Sequence, residues 1–207
     1  MPGPCELLEK VSRAQREDIA LQNHPLTNAD LDLRLKYLSA LSLVLCIDDI
    51  IHWRETQYLQ MMMYAFRIPR ESLDAILIQG QAWDQSMIKD TIHFLHKQNL
   101  EATFFMDACL SAVYDGKLHI NEKKLLTKLS TWLSVGKSIY NKASIIMAVP
   151  TQTNPIGFFH KHKAEFDGRY KTIQENGCKH VRSVFAIICH DLSRFVNSNT
   201  AITRSKQ

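Results

Sequence analysis

The stretch Asp48-Asp-Ile-Ile-His-Trp-Arg-Glu55 has a counterpart 67 residues further along the chain, Asp115-Gly-Lys-Leu-His-Ile-Asn-Glu122. Both read Asp, two residues, a branched aliphatic residue, His, a large apolar residue, one residue and Glu. The same offset pairs apolar residues around the two segments: Leu43 with Leu110, Leu59 with Leu126, Met62 with Leu129, Phe66 with Leu133 and Ile68 with Val135. Because the acidic segment and the spacing of the apolar residues around it repeat together, the sequence predicts an internal duplication that organises the fold.

The apolar pattern around both segments is helical. A wide apolar face at helical spacing precedes the first segment, formed by Leu31, Leu35, Leu38, Leu41 and Leu45. No segment shows the sustained alternation of a strand, and seven Gly and six Pro are few for a turn-rich β fold. We therefore predict an all-α fold. A duplicated helix–acidic loop–helix repeat, at about 31–80 and 100–148, forms a bundle within a domain of residues 1–150.

A second region follows the proline-bounded linker Pro150–Pro155. Residues 156–176 and 178–195 read as a helical hairpin, and the polar tail from Asn197 is expected to fray. Residues 1–150 carry a net charge of −1 and residues 151–207 one of +5, so this C-terminal extension is the basic part. We expect the hairpin to dock on the core by five apolar side chains: Phe158, Phe159, Val184, Phe185 and Ile188. Its histidines and cysteines fit no zinc-site spacing, so His180 and Cys189 are expected at the surface or half-buried.

Composition limits the environment and the partners of the chain. Its 207 residues are 45% hydrophobic and 22% charged, as in a globular protein, and no apolar run nears the roughly 18 residues of a membrane span. The N-terminus lacks the pattern of a signal peptide, and five cysteines at unmatched spacings favour reduced thiols. We predict a cytoplasmic protein without a transmembrane segment. Basic helices without interleaved aromatic residues make a nucleic-acid partner unexpected, and a protein partner is favoured.

The acidic segments allow two interpretations. If the two copies pack about a local two-fold axis, Asp48, Glu55, Asp115 and Glu122 converge. Clustered carboxylates repel one another unless a cation neutralises them, which predicts a divalent metal site for Ca²⁺ or Mg²⁺. Alternatively, Asp115-Gly116 is only a turn, and the two Glu residues stabilise first helical turns by roughly 0.3–1 kcal/mol each.

The paired motifs Asp48-Asp49…Glu55 and Asp115-Gly116…Glu122 resemble those of the tellurite-resistance TerB-like family over about residues 30–148. The resemblance implies a duplicated all-helical domain, a link to metal or tellurite stress, and membrane-associated or signalling assemblies. It also implies that Asp48, Glu55, Asp115 and Glu122 are metal ligands. Asp49 departs from the pattern, since the family and the second copy have Gly there. It either adds a ligand or forces a different turn.

No phosphate-binding Gly loop, nucleophile elbow, HExxH or recognisable Cys–His pair is present, so catalysis is not the leading prediction. The leading functional hypothesis is a divalent-metal-binding protein that acts in sensing or assembly of a stress or tellurite-resistance-type system. Its alternative is a non-enzymatic interaction, scaffold or immunity-type protein whose acidic loops are purely structural. A metallohydrolase ranks third.

Overall fold

The computed structural model describes residues 21–46, 55–166 and 179–204, and the side chains among them except those of residues 55, 179 and 195–204. This part of the chain contains nine α-helices, two short 3₁₀ turns and no strand. The predicted all-α fold is therefore confirmed. None of the described helices combines the length and the apolarity that a membrane crossing requires.

The helices follow one another through short connections. They are α1 (Leu31–Leu45), α2 (Glu55–Ala65), α3 (Leu73–Gln81), α4 (Gln85–Lys97), α5 (Glu101–Ala112), α6 (Ile120–Trp132), α7 (Lys137–Ala148), α8 (Pro155–Phe166) and α9 (Lys179–Arg204). The 3₁₀ turns Arg70–Ser72 and Val149–Thr151 precede α3 and follow α7. Helix α1 packs chiefly on α3, α5 packs chiefly on α7, and α9 lies on α8 and α5.

The described helix ends follow the 67-residue offset of the sequence match. The paired last residues are Leu45 and Ala112, Ala65 and Trp132, and Gln81 and Ala148. In each half the first helix packs on the third, so the packing order also corresponds. Residues 47–54, which contain most of the first acidic segment, lie outside the described ranges. Superposition of the two copies therefore stays a prediction.

The turns that end α2 and α6 also share this offset. Arg67 and Ser134 occupy equivalent positions and both have positive φ, at 53° and 50°. Each turn is closed by a bond from the amide after that residue to a carbonyl in the preceding helix: Ile68 N to Met63 O at 2.8 Å, and Val135 N to Ser130 O at 2.9 Å. A left-handed residue with such a bond is a common helix stop, although glycine usually takes the position.

The C-terminal helices share the hydrophobic core of the preceding helices. Val184, Phe185 and Ile188 of α9 are buried within the same apolar cluster as residues of α1, α2 and α5, and Phe158 and Phe159 of α8 pack against it half-buried. Burying a side chain of this size contributes about 1.5–3 kcal/mol. One expectation is corrected: α9 continues to Arg204, so the polar tail is helical well past its predicted start.

Candidate functional site

A buried carboxylate on α5 is bonded by four other side chains. Asp107 Oδ1 accepts hydrogen bonds from Tyr58 Oη at 2.8 Å and His180 Nε2 at 2.6 Å. Its Oδ2 accepts from Tyr37 Oη at 2.5 Å and His24 Nε2 at 2.9 Å. All five residues are buried, with at most 3% of each exposed. We call this group the Asp107 hub.

The hub joins five separate parts of the fold. Helix α5 is buried from Thr103 to Ala112, so a carboxylate at its middle cannot reach water. Tyr37 comes from α1, Tyr58 from α2 and His180 from the first turn of α9. His24 lies in the turns before α1, where its carbonyl accepts the amide of Thr27 at 3.1 Å. The hub therefore links both ends of the described chain to its central helix.

The environment sets the ionisation of the hub. Burial alone raises the pKa of the Asp107 carboxyl, but the interactions with His180 and His24 outweigh it and hold that pKa well below its usual range. Burial, together with neighbouring His180, lowers the pKa of His24 to about 4, so its imidazole is neutral at pH 7. Burial and the Asp107 charge raise the pKa of Tyr58 far above 10, so it stays a hydroxyl donor.

Hydrogen bonds also indicate the tautomer of each histidine. His24 Nδ1 accepts the amide hydrogen of Leu26 at 3.1 Å, so the ring proton is on Nε2, which donates to Asp107. His180 Nδ1 is buried and has no hydrogen-bond partner in the described structure. Its Nε2 faces Asp107 Oδ1, so that nitrogen carries a proton and donates it to the carboxylate. Asp107 is thus an anion held by four hydrogen-bond donors.

Three hub residues lie close enough together to hold a metal ion. One ligand atom from each of His24, Asp107 and His180 can be chosen within 4.8 Å of the others. However, a histidine bound through Nε2 normally carries its proton on Nδ1 and donates it to an acceptor. At His24 that nitrogen faces the amide hydrogen of Leu26. The geometry at His24 therefore opposes metal binding through Nε2.

The distances within the hub also favour hydrogen bonds over metal coordination. Tetrahedral zinc ligands lie about 3.3 Å apart, as metal–ligand distances near 2.0–2.1 Å require. The two histidine nitrogens lie only 2.6 and 2.9 Å from the carboxylate oxygens, which are hydrogen-bond distances. Four donors also fill the lone-pair positions of the carboxylate. The hub is therefore a network of hydrogen bonds in which the carboxylate has no free acceptor position for a substrate.

The second acidic segment has the hydrogen bonds of a turn and a helix start. Asp115 Oδ1 accepts the amide of Lys117 at 2.7 Å, next to Gly116 with a φ of 90°. Glu122 is 3% exposed, and its Oε2 accepts the amide of His119 at 2.8 Å, as in a capping box. These bonds agree with the structural alternative for the second segment.

The first acidic segment is not described in the same detail. Asp48 and Asp49 lie outside the described residues, and Glu55 is the first residue of α2 with its side chain also outside them. The convergence of Asp48, Asp49 and Glu55 with the second segment therefore stays a prediction.

Sequence reasoning missed the hub entirely. The expected surface or half-buried placement of His180 and Cys189 is wrong, because α9 turns both side chains into the core, with 0% and 1% exposed. One signal was available in the run Phe104-Phe-Met-Asp-Ala-Cys-Leu110. A single Asp within a helix that is apolar on all sides has to be buried, and a buried carboxylate requires partners.

Comparison of the chain with family models, with curated proteins and with solved structures found no match in any of the three. The function is therefore argued from the residues and the geometry alone, and the TerB-like resemblance stays a hypothesis that rests on the two short motifs.

Proposed function

We propose that this chain is a non-enzymatic helical protein that acts by binding a protein partner. In this proposal the hydrogen bonds of the Asp107 hub fix the relative positions of the helices that form the binding surface. The observation that carries this proposal is the complete occupancy of the Asp107 carboxylate by four donors from four parts of the fold. A carboxylate so enclosed is poorly placed to act as a base, a nucleophile or a metal ligand toward an external molecule.

Energetics support a role in holding the fold together. Each hydrogen bond to a charged group contributes about 1.5–3 kcal/mol, and four of them offset the cost of burying one carboxylate. Removing a partner leaves a buried polar group unpaired, so the hub favours one arrangement of its segments over alternatives. A surface built from several helices keeps its shape only if their relative positions are held.

Binding with matched variants tests this proposal. A partner captured from the native source is purified and mixed with purified wild type, Asp107→Asn and Asp115→Asn proteins. We expect Asp115→Asn to bind like the wild type, because an Asn side chain still accepts the Lys117 amide. Asp107→Asn is expected to bind at least about tenfold more weakly, which corresponds to 1.4 kcal/mol. Native mass spectrometry that finds a stoichiometric metal ion lost in His180→Gln would refute the proposal.

Divalent-metal binding by the acidic segments is the second candidate. It is favoured by the last residues of α1 and α5, Leu45 and Ala112, which are separated by the same 67-residue offset as the two segments. In this version Asp48, Asp49, Glu55, Asp115 and Glu122 bind Ca²⁺ or Mg²⁺. The TerB-like resemblance then supplies the setting, which is a cytoplasmic stress or tellurite-resistance-type system with membrane-associated assemblies.

A thermal titration tests the metal candidate. A metal bound only by the folded state at a hundredfold excess over Kd adds about 2.7 kcal/mol. For a chain of this size the melting temperature should rise by about 5–11 °C. We expect a chelator to reverse the rise and Asp115→Asn or Glu122→Gln to abolish it. A flat response to both ions removes this candidate and leaves the first proposal standing.

A further inference from the structure

A groove with a volume of about 540 Å³ opens beside the C-terminal end of α2. Its apolar lining includes Ala65, Ile68 and Pro69, and its polar lining includes Gln22, Tyr64 and Arg67. A volume of this order lies within the range of small-molecule sites, which combine an apolar wall with a few polar groups. The groove does not overlap the Asp107 hub.

Of the four polar side chains in the described lining, only that of Thr27 makes hydrogen bonds of the fold, donating to the carbonyls of Leu21 and His24. Gln22, Tyr64 and Arg67 are exposed, and none of their side chains has a hydrogen bond or an ion pair with any described residue. Arg34 on α1 differs, since its guanidinium donates to the carbonyl of Phe66. Arg67 is the only charged residue that lines the groove among the described residues. The described part of the lining therefore carries one positive charge, which complements an anion.

Arg67 also occupies a position where a side chain costs stability. Its φ of 53° is left-handed, a conformation that glycine adopts without strain and that other residues rarely adopt. The conformation itself is explained by the helix stop that ends α2. Ser134 stands at the equivalent position of the second half with a φ of 50°, away from the groove. It provides the matched control for the same backbone strain.

We propose that this groove binds a small organic carboxylate with an apolar body. The Arg67 guanidinium takes the carboxylate in a bidentate pair, which is the geometry that guanidinium and carboxylate groups share. The Tyr64 ring, 70% exposed, and the Ile68 and Pro69 side chains contact the apolar body. The Gln22 amide offers a further hydrogen bond. No described residue of the groove belongs to the hub or to the second acidic segment.

Calorimetric titration with 2-naphthoate and its neutral analogue 2-naphthamide tests the proposal on the full chain. We expect naphthoate to bind and naphthamide to bind at least about tenfold more weakly, since only the acid pairs with Arg67. Arg67→Gly should weaken naphthoate binding at least tenfold while raising the melting temperature by about 2–4 °C through relief of strain. Ser134→Gly should raise the melting temperature equally and leave the naphthoate Kd within about twofold.

The two variants separate binding from folding, because both are expected to be more stable than the wild type. Amide NMR shifts on naphthoate addition should concentrate at residues 64–69. The proposal is overturned if the wild type does not bind naphthoate at millimolar concentration, if acid and amide bind alike, or if Arg67→Gly binds as well as Ser134→Gly.

Discussion

Replacing His24 by Gln should reduce the acid sensitivity of this protein. The pKa of His24 is lowered to about 4 in the fold, from an ordinary value of 6.5. As the pH falls below 6.5, His24 becomes protonated in the unfolded chain but stays neutral in the folded protein. The unfolding free energy therefore falls until the pH reaches about 4. A difference of this size corresponds to about 3 kcal/mol of unfolding free energy, at about 1.4 kcal/mol for each pH unit.

The glutamine variant keeps a donor for Asp107 but cannot titrate. We expect it to be less stable at pH 7 by about 1–2 kcal/mol, because the Leu26 amide loses its acceptor. Between pH 7 and pH 4 it should lose about 3 kcal/mol less than the wild type. Urea unfolding at pH 7.0, 6.0, 5.0 and 4.0 measures both quantities.

Tyr37→Phe is the matched control, since it removes one hydrogen bond of the hub but no group that titrates in this range. It should be less stable than the wild type at every pH and follow the same slope. If His24→Gln shows the wild-type slope from pH 6.5 to 4, then His24 is not held neutral by burial and our description of the hub's protonation is wrong.

Three further outcomes are expected. Asp107→Asn should lower the unfolding free energy by at least about 3 kcal/mol, because the new amide group faces two donors. The unfolding free energy of Asp115→Asn without metal should stay within about 0.5 kcal/mol of the wild-type value. Equal effects of the two substitutions in urea unfolding would contradict this prediction. Gly80→Ala should lower the unfolding free energy by about 1–3 kcal/mol although alanine has the better helix propensity, because a Cβ there lies 2.9 Å from the Ser42 carbonyl carbon on α1. A stabilised variant in the same assay would show that α1 and α3 can separate. A fragment ending at Pro155 should aggregate, because it loses Val184, Phe185 and Ile188 from the core, and a soluble fragment with a cooperative melt would show that the first 155 residues fold alone.

The helical architecture was predictable because its signals are local. Apolar spacing along α1, the acidic segments and the 67-residue offset lie within short windows, and the described helix ends follow that offset in three pairs. The docking side chains Val184, Phe185 and Ile188 were predictable for the same reason, since an amphipathic helix with a strong apolar stripe has to cover it. The C-terminal end of α9 was not predictable, because a polar helical tail carries no apolar periodicity.

The amino-acid sequence by itself determined which segments are helical and at what spacing they correspond, because backbone propensity and apolar periodicity act over a few turns. It also contained a signal that our prediction did not use, since a carboxylate within an apolar helix, such as Asp107, cannot be buried alone. Only the tertiary structure decided which partners these are. His24 and His180 stand near opposite ends of the described chain, and no local pattern relates them to Tyr37, Tyr58 or each other. They meet because α9 packs on α5 and the turns before α1 close over the same point, and these contacts depend on the packing of the whole core.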